Sequence, residues 1–305
     1  MPELPEVQTT ATILNKLLPD LKITDVWTDY GGAFHVGKRN IKDKKYFEEF
    51  KKQVVGTKIK SSSRLGKQVL INLSNEKTIV VHLKMTGHLL YGKYVYDEKN
   101  KTWKADEPGP LQDPYNRFIH FLISFSNGKS LALSDVRKFA RTTLVETAHL
   151  DTDDDLKHLG PNPLMKQFHF KEFADKLLKK PKGKIKQVLM DQSIIAGIGN
   201  IYSDEILWFA GVHPESIVSK IPETELKKMF QGMKKILEEG IDFGGDSLSD
   251  YRNPYGEKGK YQYHHKAYQQ TKKPCTKKGC KGIIEKLKIG GRSGHFCPVH
   301  QKLFK

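Results

Sequence analysis

The 305-residue sequence contains no apolar run approaching the length of about eighteen residues that a membrane span needs. Its opening stretch carries Glu3, Glu6 and Asp20 and has no continuous apolar core of the secretory type, so the pattern gives no secretory leader and the expected location is the cytoplasm. No internal repeat is visible, which argues against a solenoid. Cysteine is scarce: there are three, Cys275, Cys280 and Cys297, and all lie late in the chain. An odd, clustered set without a secretion signal is a poor disulfide framework and a better metal site. Acidic residues are outnumbered, 35 against 52 lysines and arginines, for a net charge of +17. A surplus of that size implies a polyanionic partner, because each cation that neutralises a phosphate releases a condensed counterion. It is spread along the chain and not gathered on one amphipathic helix, which disfavours a membrane surface.

Val7, Ala11, Leu14 and Leu18 recur at helical spacing, and Pro5 suits a first helical turn, so a helix is predicted to start within a few residues of the N-terminus. From Lys67 to Asp135 the pattern turns to strands. Val69, Ile71 and Leu73 alternate with polar neighbours, and Asn127-Gly128 between two apolar runs predicts a hairpin. The polar stretch from Asp97 to Pro114 is expected to be a surface insertion. Asp151 to Asp155 reads as a linker or helix start. Helical patterns follow to Phe243, broken at Ala196-Gly197-Ile198-Gly199-Asn200, and the stretch from Gly245 to Tyr261 reads as loop.

Three groups of residues carry chemistry. Removal of Met1 would leave Pro2 as a terminal secondary amine. Such an amine attacking an aldehyde-like carbon gives an iminium that cannot lose its charge at nitrogen, and this cation promotes elimination from the adjacent carbon. An α-amino group titrates near pH 8, and the positive end of a following helix disfavours the ammonium. Glu3 or Glu6 could protonate an opening sugar oxygen or shuttle protons. The second group is Cys275-x4-Cys280, then sixteen residues, then Cys297-x2-His300. Two short ligand pairs separated by a loop suit one tetrahedral structural Zn²⁺, with Gly290-Gly291-Arg292 as the basic tip of a hairpin between them. His264 and His265 are competing ligands, but their spacing reads better as surface histidines. Third, the glycine-rich turn before Asn200 opens a helix whose backbone N–H groups can bind phosphate.

These pieces stand beside further motifs: Pro2-Glu3-Leu4-Pro5-Glu6-Val7 at the start, His82-Leu83-Lys84-Met85-Thr86-Gly87, Asp135-Val136-Arg137-Lys138-Phe139, and Asp191-Gln192-Ser193 through Gly199-Asn200-Ile201-Tyr202. Together and in this order they resemble the formamidopyrimidine-DNA glycosylase and endonuclease VIII family. The resemblance implies an α+β fold: an N-terminal β-sandwich flanked by helices over 1–148, a helix–two-turn–helix domain with a lesion-capping loop over 149–260, and a zinc-finger β-hairpin over 261–305. It implies a catalytic set of Pro2 as nucleophile, Glu3 as acid/base, Glu6, Lys67 and Arg292. Lys67, Asn200 and Arg292 would contact phosphates. Met85, Arg137 and Phe139 would fill the gap left by an extruded base, offsetting part of the cost of flipping it. Zn²⁺, one per chain, would sit on Cys275, Cys280, Cys297 and His300.

The segment from Gly245 to Gln262 resembles the capping loop of the branch that excises oxidised purines, 8-oxoguanine and formamidopyrimidines. The implied enzyme is therefore a bifunctional glycosylase and abasic-site lyase acting by β,δ-elimination on duplex DNA with oxidised bases or abasic sites. It would be a monomer without membrane association, of bacterial type, cytoplasmic and working at the nucleoid. The alternatives are an oxidised-pyrimidine glycosylase of the endonuclease VIII type and a lesion-binding protein without catalysis. Two departures stand out. The family's finger usually has four cysteines with two-residue spacers, whereas here the first spacer is four residues and the last ligand is His300; and the segment from Asp97 to Pro114 is longer than the family leads one to expect.

Overall fold

A computed structural model describes residues 1–305 and resolves the chain into two compact units, Met1–Lys157 with Phe243–Lys260, and His158–Asp242 with Tyr261–Lys305. The division differs from the linear boundaries expected from the sequence, because residues 243–260 fold with the first unit. Hydrogen bonds from Asp246 and Tyr251 to Glu6 account for this.

The first unit opens with α1 (Leu4–Leu17), followed by β1 (Ile23–Thr28), α2 (Lys44–Val54), β2 (Ile59–Leu65), β3 (Gln68–Leu73), β4 (Lys77–His82), β5 (His88–Gly92), β6 (Tyr94–Asp97), β7 (Thr102–Ala105), β8 (Ile119–Phe125), β9 (Ser130–Ser134) and β10 (Arg141–Glu146). Two four-stranded sheets form, ordered β1-β8-β9-β5 and β10-β4-β3-β2, with neighbouring strands antiparallel. Alternation sets the core. Val69, Ile71 and Leu73 of β3, Ile79 and Val81 of β4, Phe121 and Ile123 of β8, and Leu131 and Leu133 of β9 all turn inward. Val7, Leu14 and Leu18 of the first helix, at the predicted spacing, join the same cluster. The predicted hairpin at Asn127-Gly128 joins β8 to β9, with Gly128 at φ +75°.

The stretch from Asp97 to Pro114 is more than a polar excursion. β6 and β7 pair as a hairpin, and Trp103 packs edge-on to Trp27 and Tyr96, with ring centroids 6.1 and 5.3 Å away. Trp103 and Leu111 pack on Leu90, Ile119, Leu122 and Ala132, the outward-facing residues of β5, β8 and β9. Both faces of that sheet are thus covered, which is why β8 carries Phe121, Leu122 and Ile123 in succession. Asp151 to Asp155 folds as turns, with Asp153 paired to Arg39 at 2.7 Å.

The second unit holds α3 (Phe170–Leu178), α4 (Ile185–Met190), α5 (Asn200–Ala210), α6 (Glu223–Asp242) and the antiparallel hairpin β11 (Glu285–Ile289) and β12 (Arg292–Phe296). Gly232 lets α6 approach α5: a Cβ there would lie 2.4 Å from the Phe209 ring. Ile289 pairs with Arg292, leaving Gly290 and Gly291 as a two-residue turn at φ +55° and +76°. Two positive φ values are the signature of a type I′ turn, which matches strand twist and favours glycine at both positions.

Candidate active site and nucleic-acid interface

Pro2 is buried at the entrance to α1, beneath a partly exposed Met1. Glu3 is the N-cap, and its carboxylate and that of Glu6 form a reciprocal capping box. Glu6 Oε2 accepts from the Glu3 amide at 2.7 Å, and Oε1 accepts from the Asp246 amide at 2.7 Å. The Glu6 carbonyl accepts from Thr10 Oγ1 at 2.9 Å and from the Tyr251 hydroxyl at 3.0 Å. Gly245 sits against this carboxylate: at φ +86°, a Cβ would come within 2.8 Å of Glu6 Cγ. Two buried glutamates are therefore fixed beside Pro2 by the first helical turn and by a loop more than two hundred residues away in sequence.

Lys67 is buried in the two-residue turn between β2 and β3. Arg64 braces that turn, donating to the Gly66 carbonyl at 2.8 Å and to Gln8 of α1 at 3.0 Å. Lys67 is felt by His82, whose imidazole is held down to about 3 by burial first and then by Lys84, Lys67 and Arg141.

Met85 and the pair Arg137 and Phe139 lie on two neighbouring loops, joining β4 to β5 and β9 to β10. Asp135, fully buried, ties them together. Its carboxylate accepts from Thr86 Oγ1 and, at 2.6 Å, from the Ala140 amide, while Thr86 Oγ1 accepts from the Arg137 amide at 3.2 Å. Lys84 and Lys138 take φ +54° in these turns. The result is an outward-facing set: Phe139 is 50% exposed and the Arg137 guanidinium lies 4.5 Å over its ring. Met85 and Phe139 line a cavity of about 770 Å³ together with Met1 and the cations Lys38, Lys42 and Lys84. Two apolar side chains, the chain's first residue and positive charge thus share one concavity.

In the second unit, Asn200 is the first residue of α5 and Arg292 follows the Gly290-Gly291 turn with its side chain exposed. Both sit on a buried polar tie. Lys186 Nζ donates to Asp204 Oδ1 at 2.6 Å, to Ser203 Oγ at 3.0 Å and to the Asn200 carbonyl at 3.2 Å. Asp204 Oδ2 accepts from the His295 amide at 2.9 Å and its Nδ1–H at 3.0 Å. Gly290 packs on α4, where a Cβ would meet Gln187 at 2.1 Å.

Cys275, Cys280, Cys297 and His300 converge, with their donor atoms all within 4.8 Å of one another. Cys280 and Cys297 sulfurs are 3.6 Å apart, too far for a disulfide, and Cys275 Sγ lies 3.3 Å from His300 Nδ1. Bonds of about 2.3 Å to sulfur and about 2.0 Å to nitrogen imply tetrahedral edges of about 3.8 and 3.5 Å, close to those separations. His300 Nε2–H donates to the Trp208 carbonyl at 3.0 Å, which leaves Nδ1 as the free lone pair. The four residues could hold a metal ion. His264 and His265 stand outside the cluster. The surface reading fails for His265, which is buried between the rings of Tyr261 and Tyr268, each with its centroid 5.4 Å away.

Residues 1–142 match the formamidopyrimidine-DNA glycosylase N-terminal domain, and residues 159–252 match the H2TH domain of the same enzymes. A formamidopyrimidine-DNA glycosylase of Pelotomaculum thermopropionicum is 37% identical over 303 residues, 99% of this chain and 100% of the relative. That of Streptococcus mutans is 36% identical over 302 residues, again covering 99% and 100%. The chain belongs to the formamidopyrimidine-DNA glycosylase family. Among solved structures, Lactococcus lactis Fpg in complex with abasic-site DNA superposes with a TM-score of 0.82 at 31% identity, covering 98% of this chain and 99% of that one. A variant of the same protein bound to Fapy-dG DNA gives 0.82 at 31%, covering 99% and 100%.

As a formamidopyrimidine-DNA glycosylase family member, the protein is a DNA glycosylase of oxidised-base repair that acts on DNA lesions. No helix in it is long and apolar enough to cross a membrane. Several residues that support the candidate site were given no role in the sequence reading: Asp135 and Thr86, which brace the loops carrying Met85, Arg137 and Phe139, and Lys186, Asp204 and His295, which tie α4, α5 and β12. The one available signal was Lys186 itself, a charge set among the apolar Ile185, Val188 and Leu189 of one short helix.

Proposed function

We propose that the protein is a bifunctional glycosylase and abasic-site lyase for oxidised purines in duplex DNA, acting through Pro2. The observation that carries this reading is the buried Pro2, placed directly before two fixed glutamates and directly after Met1, which lines the cavity that also bears Met85 and Phe139. With Met1 removed, the Pro2 nitrogen attacks C1′ of the damaged nucleotide and the C1′–base bond breaks. Glu3 delivers a proton to the opening sugar ring. The resulting iminium draws electrons from C2′, so loss of the C2′ proton expels the 3′ phosphate; a second elimination expels the 5′ phosphate. Glu6, held at both oxygens, keeps Glu3 and the loop beginning at Gly245 in register. Lys67, Asn200 and Arg292 are assigned to phosphates, and Met85, Arg137 and Phe139 to the space vacated by the flipped base.

Cys275, Cys280, Cys297 and His300 would hold one structural Zn²⁺. All four positions are filled by protein donors, so the ion would supply folding energy to the hairpin that carries Arg292 and no reaction chemistry. The protein is taken to work as a cytoplasmic monomer.

The test is borohydride trapping on a duplex with 8-oxoguanine opposite cytosine, using protein whose N-terminus is verified by mass spectrometry. A covalent adduct mapping to Pro2, abolished in Pro2→Gly, is expected. An adduct on thymine glycol but not on 8-oxoguanine would keep the mechanism and move the substrate to oxidised pyrimidines. No adduct on any lesion or abasic site, with Met1 absent, would overturn the catalytic reading in favour of lesion binding alone.

A further inference from the structure

The segment after β7 ends in two short turns, Pro110–Gln112 and Pro114–Arg117, and loop 244–259 comes to lie against them. The geometry points to a dock: the segment holds loop 244–259 closed over Glu6, with Asp113 and Arg252 as positioning residues for recognition of the damaged base. The inference rests on the oxidised-purine reading above only for the choice of base.

Arg252 is 1% exposed, one of the most deeply buried long side chains in the protein. Its Nη2 donates to both carboxylate oxygens of Asp113 at 3.2 Å. Its Nη1 donates to the Ser249 and Tyr251 carbonyls, each at 2.9 Å. One guanidinium therefore ties the loop's own backbone to the segment's acid, and a planar fork suits that double duty in a way a lysine could not. Asn116, buried, adds a second tie: its Nδ2 donates to the Gly256 carbonyl of the loop at 3.4 Å and to the Pro110 carbonyl at 2.8 Å, while its Oδ1 accepts from buried His88 at 2.9 Å. Contact is backbone on backbone at Gly256, which has φ +85° and where a Cβ would fall 2.6 Å from the Pro110 carbonyl carbon. Tyr91 closes the far end, its amide donating to the Pro254 carbonyl at 2.7 Å.

The loop is thus held at two places. Asp246 and Tyr251 fix it to Glu6 beside Pro2, and Arg252 to Gly256 fix it to the insertion. It has no helix or strand of its own, so without the second anchorage the entropy of closing it is opposed by fewer contacts, those at Glu6 among them. A closed loop matters while a base is still attached to the sugar. It matters much less for elimination at an abasic site, where there is no base to enclose.

The experiment uses full-length protein with Asp113→Asn, which leaves Arg252 charged and half-partnered, and Asp113→Asn/Arg252→Met, which leaves no buried charge. Hydrogen exchange of amides 246–259, 8-oxoguanine excision and strand cleavage at a preformed abasic site are measured for each. Loop exchange should quicken, and excision should fall by about ten-fold or more as the closed population drops. Abasic-site cleavage should stay within about two-fold. Unchanged loop exchange, unchanged excision, or equal loss of both activities in the double variant would each overturn the dock. If the wild-type protein excises thymine glycol and not 8-oxoguanine, the substrate reading fails instead, and the same comparison on thymine glycol together with loop exchange still decides the dock.

Discussion

Asp204 ties the elements that carry Asn200 and Arg292 through a single carboxylate, and replacing it by asparagine is a sharp test of that account. Asp204 and Lys186 side chains are both fully buried, with 2.6 Å between Oδ1 and Nζ. Asparagine keeps the shape but removes the charge, so Lys186 is left cationic with neutral partners only. The replacement amide also turns a donor toward either Lys186 or the His295 N–H pair. Breaking a buried pair by removing one partner costs about 3–5 kcal/mol, whereas replacing both by apolar groups of similar size is often near neutral. For a unit of this size the loss corresponds to a fall in Tm of about 10–15 °C. A double-mutant cycle with Lys186→Met, Asp204→Leu and the pair, followed by urea unfolding, separates the interaction from the cost of stranding one member. The Asn200 carbonyl is one of Lys186's partners, so DNA affinity should fall together with stability in Asp204→Asn. A loss below about 1 kcal/mol, with coupling below about 0.5 kcal/mol, would show that this pair does not tie the helices to the hairpin and would refute the reasoning.

Metal analysis of purified protein should find one zinc per chain, lost in Cys297→Ser together with DNA binding; metal-free protein of full activity would exclude the site. Gln269 adopts φ +55° without being glycine, so Gln269→Gly should stabilise by about 0.5–1 kcal/mol, seen as a higher urea midpoint; a lower midpoint would mean that its side chain contributes more than the strain costs. His82, held to about 3 chiefly by burial, with Lys84, Lys67 and Arg141 adding to it, also accepts the Lys84 amide at 3.0 Å on Nδ1. The unfolded chain takes up this proton near pH 6.5 and the folded chain does not, so stability should fall as pH drops from about 6.5 toward 3, by up to about 1.4 kcal/mol per unit. His82→Gln should flatten the fall between pH 7 and 5 in urea titrations, and parallel curves for the two proteins would contradict the assignment.

Local rules carry a good part of this structure. The spacing of Val7, Ala11, Leu14 and Leu18 marks the first helix because one face must enter the core. Asn127-Gly128 and Gly290-Gly291 mark hairpins because few other pairs tolerate the backbone their turns need. The cluster of Cys275, Cys280, Cys297 and His300 is readable because two short-range pairs are brought together by one such hairpin. What escaped depends on distant partners. Asp135 looks like any surface acid until the Thr86 hydroxyl and the Ala140 amide are found at its oxygens. The stretch from Asp97 to Pro114 is polar in composition because only Trp103, Leu111 and a few neighbours touch the sheet, and its strands are too short to show a period. The helix at Lys44–Val54 is dominated by charge, and just two of its residues, Phe50 and Val54, are buried. The sequence pattern changes after Thr147, whereas the first unit's opening segment runs to Lys157; the return of residues 243–260 to that unit was not legible, since no local property of those residues names Glu6 as their partner.

That return gives the chain a built-in order of completion. The strands of the first unit and Pro2 are all encoded before residue 158, but the amide that holds Glu6 belongs to Asp246, 240 positions further on. A ribosome that has released the whole sandwich has therefore not yet released the residue that holds Glu6, and a chain that ends early keeps Pro2, the proposed nucleophile, without the clasp on its neighbouring acid. Splitting the gene between the two units would separate residues that touch, while a circular permutation opening near residue 158 and joining the original ends would turn into an amide the amine that the proposed chemistry requires free.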